Sequence, residues 1–457
     1  MSPLARQYQF TRRARIGDKK GNLNMWSWVE DRVLDESQYE MRKRKYGRFV
    51  YLFKFSLIND SYDSVQGLVF GYLIPLFLVA CLIAYHSVCY LLTVTSAYKI
   101  GRIDVALASV HSISLAVFVS STLATYFVYE RGIFDIEQLY KERLYNYKHD
   151  LPPPEPTFFE KVVDFFIENG IVLGVLSLFT GVYIVSPLMD LRFWQVDCLQ
   201  ENINFCIALP MYHPYKSDEG WRFYLSVGVQ SFFGIYRICL FFSVQITMTL
   251  WSQHVVEELS LLQESLRNFE RRTEMEYFVR TGRKVGGNGL MHRNKEYAES
   301  AKFCLYENVK HHQNILSYFN KTNSILALPS FLAYMTGTIT MGIAMVKILT
   351  LEGDSTIGVQ FAYVIVLSSE ILFMVMISAV GEYITSMAEE VFTYVSQMRI
   401  DLYDTEFRRD LLIFMSGTIN PIALSSSKFN KCNHEALGNV FNAAYSCYNV
   451  TKASSMN

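Results

Sequence analysis

The chain has 457 residues, 51% of them hydrophobic and 15% aromatic, with 11 prolines and a formal net charge of -1. A two-domain soluble enzyme would be less apolar, and a nucleic-acid binder would carry an excess of Lys and Arg, so both classes are excluded. What remains is a helical membrane protein that crosses the bilayer several times.

Met1 to Ser27 is basic and polar and lacks the apolar core of a signal peptide. Trp26 to Lys54 is charged and amphipathic, which predicts a surface-lying helix within a cytoplasmic arm over residues 1–66. Crossing a hydrocarbon core of about 30 Å takes roughly 20 apolar residues. Runs of that kind lie at Gly67–Val94, Ile103–Tyr129, Val162–Met189, Phe223–Trp251, Ile325–Leu349 and Ile357–Val380. The third follows a stiff break at Leu151–Pro156 and is interrupted by Glu168, Asn169 and Gly170. The fourth carries Arg237 near its middle, so both should face protein on one side. A seventh run, Asn433–Lys452, places Asn439, Asn442, Ser446 and Asn449 on one helical stripe. Such a stripe seeks water or polar neighbours, as a pore-lining helix would have, and a polar seam between helices is the other reading.

Basic residues cluster before the first run (Arg12 to Arg48), in the Glu130–Glu160 loop and between the fourth and fifth runs (Arg267 to Lys295). Those segments should be cytoplasmic. Seven spans then place the N-terminus inside and the C-terminus outside, the reverse of a G-protein-coupled receptor. Residues 67–251 hold the first four spans, with a second extracellular loop at 190–222. Apolar residues recur in heptad fashion at Val255, Leu259, Leu262 and Leu266, and again at Phe303, Val309, Ile315 and Phe319, around the flexible loop Gly282–Gly289. The fourth and fifth helices should therefore extend over residues 252–324 as an antiparallel cytoplasmic pair. After the fifth and sixth spans (325–387), an anchor helix and turn (388–432) complete a cytosolic block where subunits meet. The last helix and a short extracellular tail occupy 433–457. The fold class is thus an all-α membrane protein of seven transmembrane helices, with the fourth to seventh reaching into that block.

The C-terminal third carries Ser386-Met-Ala-Glu-Glu390, Arg408–Met415 (RRDLLIFM), Asn420-Pro-Ile-Ala-Leu424, Ser427-Lys-Phe429 and Ala443-Ala-Tyr-Ser446, and the second extracellular loop carries Leu209-Pro-Met-Tyr-His-Pro-Tyr215 followed by Gln230. Together with the topology, these segments resemble the insect odorant receptors. The resemblance implies a ligand-binding subunit of a tetrameric, odorant-gated, non-selective cation channel. It would sit in the plasma membrane of sensory-neuron dendrites, assembled with the family's shared co-receptor and passing cations along four copies of the last helix. Aligned on Ser427-Lys-Phe429, Ala443, Cys447, Val450 and Ser454 would face the pore. Thr451, Lys452, Ser454 and Ser455 replace the aliphatic end that a dewetting gate needs, which suggests a tuning subunit that relies on its partner to close.

Odorants are small and mostly apolar, so their site should be an enclosed aromatic pocket with few polar groups. The resemblance places it in the outer half of the membrane among the second, third, fourth and sixth helices. There fall His111, Ser112, Leu115 and Phe118; Leu176, Phe179, Thr180 and Tyr183; Gln230 and Phe233; and Tyr363 with Val366. Within each set the spacing puts the residues on one helical face, which core packing would also produce.

Arg237 and Glu370 lie about midway along their helices and form a candidate buried ion pair. Cys198 and Cys206 share the second extracellular loop, where oxidising surroundings permit a disulfide. The eight cysteines have no metal-ligand spacing, and no phosphate loop or catalytic cluster is visible, so no cofactor, metal or enzymatic activity is expected. A gustatory receptor of the same superfamily would end in a Thr-Tyr, aliphatic, Gln-Phe signature, which Tyr445–Val450 lacks. A secondary transporter would show paired repeats, which are not seen.

Overall fold

The structure is a computed structural model that describes residues 66, 69–129, 133, 136, 143–149, 161, 165, 169, 173–192, 198–284, 294–349, 357–399, 403–426 and 431–455. The chain divides into two units, Met1–Cys81 and Leu82–Asn457, and the relationships below lie within the second. The N-terminal arm and Glu168 lie outside the described residues.

A π-helical turn, Val69–Leu73, leads into α1, Ile74–Lys99. After a turn at Gly101, whose φ of 74° suits glycine, α2 runs from Ile103 to Val128. Its hydroxyls bond back to the carbonyl one turn earlier, Ser109 to Val105, Ser120 to Ala116 and Thr125 to Ser121. That habit pairs most such donors in an apolar helix, and the Thr122 hydroxyl is a buried exception.

The third apolar segment departs from an ordinary helix. Val175–Val185 is π-helical and passes into a short α-helical turn, α3, Ser186–Met189. Gly174 faces the Phe242 ring and Gly181 faces Ile365, each so closely that a β-carbon would collide. The two glycines let this widened backbone lie directly against its neighbours.

A three-stranded antiparallel sheet follows, which the all-helical expectation omitted. Its strands are β1 (Leu199–Gln200), β2 (Ile203–Asn204) and β3 (Met211–Tyr212), in the order β1-β2-β3. Glu201 and Asn202 have φ of 46° and 62°, the left-handed pair that closes a two-residue hairpin between Gln200 and Ile203. The sheet seats on helices through small apolar clusters: Ile203 meets Ala97 and Val105, Met211 meets Cys89 and Tyr90, and Ala208 meets Val182 and Tyr183.

The remaining helices are α4 (Gly220–Arg267), α5 (Phe269–Thr281), α6 (Lys295–Leu349), α7 (Ile357–Ser396), α8 (Thr405–Thr418) and α9 (His434–Ser455). With 48 and 55 residues, α4 and α6 are about 70 to 80 Å long, far more than a bilayer needs. Met248 meets Ser330, Glu258 meets His311 and Ser265 meets Asn308, so the two run antiparallel. Asp404 caps α8 by accepting from the Phe407 amide at 2.9 Å, and Asn433 caps α9 by accepting from Ala436 at 2.9 Å. α9 packs against α6 and α7.

Among the described residues, five helices are long and apolar enough to cross a membrane: Val69–Lys99, Val105–Thr125, Gly220–Arg267, Lys295–Met345 and Ile357–Ser396. Leu176–Met189 is a shorter apolar helix.

The extended ends of α4, α5 and α6 enclose a polar groove occupied by Arg143–His149. Glu258, buried in α4, accepts from the Leu144 amide at 3.2 Å and from His311 Nε2 at 2.7 Å. His311 Nδ1 then accepts from the Tyr147 hydroxyl at 2.8 Å. Glu307 accepts from the Lys148 amide at 3.0 Å and from Arg272 at 2.5 Å, and the Arg272 guanidinium also stacks on Tyr147. Asn314 donates to the Leu144 carbonyl at 2.8 Å.

Candidate ligand cavity

A cavity of about 420 Å³ opens beneath the sheet, between α2, the π-helical segment, α4, α6 and α7. From α2 come His111, Ser112, Leu115 and Phe118, and from α7 come Tyr363, Val366, Ser369 and Glu370. Each set follows helical spacing. α4 presents Arg237, Ile238 and Phe241, and α6 adds Thr340 and Ile343.

Phe241 packs on Phe373 with ring centres 4.3 Å apart and on Phe118 at 6.1 Å, an aromatic cluster at one wall. Cys198, Gln200, Phe205 and Ala208–Pro210 from the sheet region form another. Cys198 and Cys206 are disulfide-bonded there, their Cα atoms 5.4 Å apart. Arg192 donates to the Ala208 carbonyl at 2.8 Å and to Asp190 at 2.7 Å. Asp190 in turn accepts from the Gly358 amide at 2.7 Å, tying this wall to the start of α7. A side chain at Gly358 would strike Asp190 and the Ser186 carbonyl.

Seven of the residues expected at the ligand site line the cavity: His111, Ser112, Leu115, Phe118, Tyr183, Tyr363 and Val366. The set Leu176, Phe179, Thr180 and Tyr183 does not stay together. A π-helix bonds each residue to the fifth along, so residues three apart lose their common face while residues four apart stay near one another. The cavity instead receives Leu178, Val182 and Tyr183, while Leu176 and Thr180 are exposed and Phe179 stacks on Tyr183 at 5.3 Å. Gln230 is turned to the Leu209 backbone. Phe233 stacks on His86 at 4.1 Å and lies outside the lining.

The expected Arg237–Glu370 ion pair does not form. Arg237 instead rests over the Phe233 ring at 5.2 Å and reaches the Ser112 carbonyl at 3.5 Å, while its Nε has no hydrogen-bond partner. Both residues nevertheless line the cavity. Arg237, Glu370, Thr340, Asp190 and Arg192 were absent from the sequence-derived lining. Intramembrane charge was the available signal for the first two, and it does not say which surface the charge faces.

On α9, Ala443 is exposed, as are Asn439, Asn442, Ser446 and Asn449, whereas Val440 and Ala444 are buried. Cys447, Val450 and Ser454 lie on this helix with their side chains outside the described residues.

Residues 106–445 match the family described as 7tm Odorant receptor. The chain belongs to the odorant receptor family. It is accordingly a multi-pass membrane protein of receptor type, with odorants as its class of ligand. The odorant receptor fold is seen in two solved structures of the insect olfactory receptor OR5 from Machilis hrabei. The first, in complex with eugenol, gives a TM-score of 0.68 at 12% identity over 91% of this chain and 99% of that one. The other gives 0.62 at 11% identity with the same coverage. No curated protein matches the chain.

Proposed function

We propose that this odorant receptor is the ligand-binding subunit of a tetrameric, odorant-gated, non-selective cation channel, assembled with the family's shared co-receptor in the plasma membrane of sensory-neuron dendrites. The carrying observation is the cavity of about 420 Å³, walled mainly by apolar and aromatic side chains with a few charged ones and tied at one side by a disulfide. Its volume and lining suit one small volatile molecule. The exposed polar stripe of α9 supports a wet environment for that helix in the assembly, with Ala443, Cys447, Val450 and Ser454 as the pore line. In this reading the N-terminus is cytoplasmic, the C-terminus extracellular, and the extended helix ends are cytosolic.

Whole-cell recording with an odour panel, with and without the co-receptor, tests the proposal. Odour-evoked current reversing near zero and requiring the partner supports it. Robust current from this chain alone overturns the tuning role, and ligand uptake without current favours a transporter. Tyr363→Ala should change the potency and rank order of odours, and unchanged potency removes Tyr363 from the site.

A further inference from the structure

We infer that the cavity takes neutral carbonyl compounds, such as ketones, aldehydes or esters, in preference to hydrocarbons of the same shape, with the Arg237 guanidinium holding the carbonyl oxygen. The inference rests on reading this cavity as the ligand site. Arg237 stands on α4 with 9% of its surface exposed, and it lines the cavity. Among the described residues it pairs with no carboxylate. Its Nη1 reaches the Ser112 carbonyl only at 3.5 Å, the outer limit of a hydrogen bond, and its Nε has no partner. The Phe233 ring, 5.2 Å from the guanidinium carbon, answers part of the charge without accepting a conventional hydrogen bond. A buried cation this short of acceptors is unusual, because its desolvation is normally offset by several. A ligand carbonyl supplies the missing acceptor through a charge-assisted hydrogen bond.

The other polar groups of the lining do not oppose that choice. The hydroxyls of Ser112 and Tyr183 can donate or accept, so neither turns a carbonyl away. Glu370, 4% exposed, favours a neutral acceptor over an anion in either protonation state: ionised, it repels a carboxylate ligand, and protonated, it is a second donor to a carbonyl. A guanidinium can only donate, so whatever ligand atom faces Arg237 must accept. A hydrocarbon has nothing to offer there.

Thermal stabilisation of the purified full-length chain in detergent is the test, with acetophenone against α-methylstyrene and cyclohexanone against methylenecyclohexane as probes. Each pair exchanges a carbonyl oxygen for a methylene of nearly the same shape. Expressing concentrations as mole fractions in the detergent phase cancels the difference in hydrophobic transfer. On that scale each ketone should half-saturate at least about tenfold below its hydrocarbon partner, because the hydrocarbon leaves a buried charge unpaired. Arg237→Met, which keeps an apolar chain and removes the donors, should bring each pair to within about twofold, whereas Arg237→Lys, which keeps a cationic donor, should keep the ketones ahead. Equal half-saturation within each pair in the unsubstituted protein overturns the inference, and so does a preference that survives Arg237→Met. The first comparison holds even where a variant fails to fold. If none of the four probes stabilises the protein, this inference and the reading of the cavity as the ligand site fall together. Ketones that bind ahead of their partners without evoking current in cells overturn the channel reading alone.

Discussion

Gln230 and Leu209 exchange two hydrogen bonds: the Gln230 amide donates to the Leu209 carbonyl at 2.7 Å, and the Leu209 amide donates to Gln230 Oε1 at 3.3 Å. A side chain of α4 thereby takes the part of an additional strand against the segment that walls the cavity. Replacing it strips the amide and the carbonyl of half-buried Leu209 at once. Gln230→Ala should destabilise the protein by about 2 kcal/mol or more, given about 1–3 kcal/mol for each unsatisfied group. Gln230→Glu, whose neutral carboxyl can still donate to the Leu209 carbonyl and accept from its amide, should fall between the two. Thermal melts of the three proteins check the order.

Gly234 on α4 lies so near the Tyr183 ring that a β-carbon would overlap it. Gly234→Ala must push Tyr183, a cavity-lining residue, off its position. The expected cost is about 1–3 kcal/mol, as for overpacking a filled core. Part of that cost should be read as weaker ligand binding, whereas Gly228→Ala, where nothing lies within reach, should leave binding unchanged.

Glu276 anchors the polar groove through Lys148 at 2.8 Å, Arg280 at 2.7 Å and His149 at 3.1 Å. Burial raises its carboxyl, but the hydrogen bonds from Lys148, Arg280 and His149 outweigh that effect and hold it down at about 2, against an ordinary value of 4.5. A carboxyl lowered by folding lends stability above its unfolded value, and that stability drains away as pH falls from 4.5 towards 2. Melting temperature should therefore decline over that window, and Glu276→Gln should flatten this part of the decline. An unchanged slope in the variant assigns the acid sensitivity to other groups.

The two lines on α9 can be separated by cysteine substitution in the assembled channel. Val450→Cys should be modified by a charged thiol reagent and block the current, since Val450 belongs to the aligned pore line. Asn442→Cys and Asn449→Cys should stay unmodified if the asparagines bond neighbouring helices. Block at the asparagine positions with none at Val450 would rotate the helix by about 100°, one residue of an α-helix.

The apolar spans were legible because lipid leaves a helix few alternatives, and α2 begins where its apolar run begins. The continuation of α4 and α6 beyond their apolar windows was legible in the heptads at Val255–Leu266 and Phe303–Phe319, whereas the polar contacts between them, such as Glu258 with His311, were not, because the partners lie far apart in sequence. Part of the cavity wall was legible as well. On α2 and α7 a regular helix preserves spacing, so His111 through Phe118 and Tyr363 with Val366 arrive together. On the third segment the π-helical register breaks that rule, and no local signal beyond Gly174 and Gly181 announces it. Arg237 and Glu370 were recognisable as costly residues, but composition cannot tell a carboxylate from an aromatic ring or a carbonyl as the partner that relieves the cost.

The Arg143–His149 strap is gripped by its main chain as well as by side chains: the amides of Leu144 and Lys148 and the carbonyl of Leu144 are each met by a side chain of Glu258, Glu307 or Asn314. Tyr147 donates to His311, Tyr145 stacks on the same ring at 5.8 Å, and Lys148 and His149 reach Glu276. Main-chain recognition leaves the side chains at 144 and 146 unread. In descendants of this gene, the letters at those two positions should drift freely, while the receiving acids, Tyr145 and Tyr147 stay fixed.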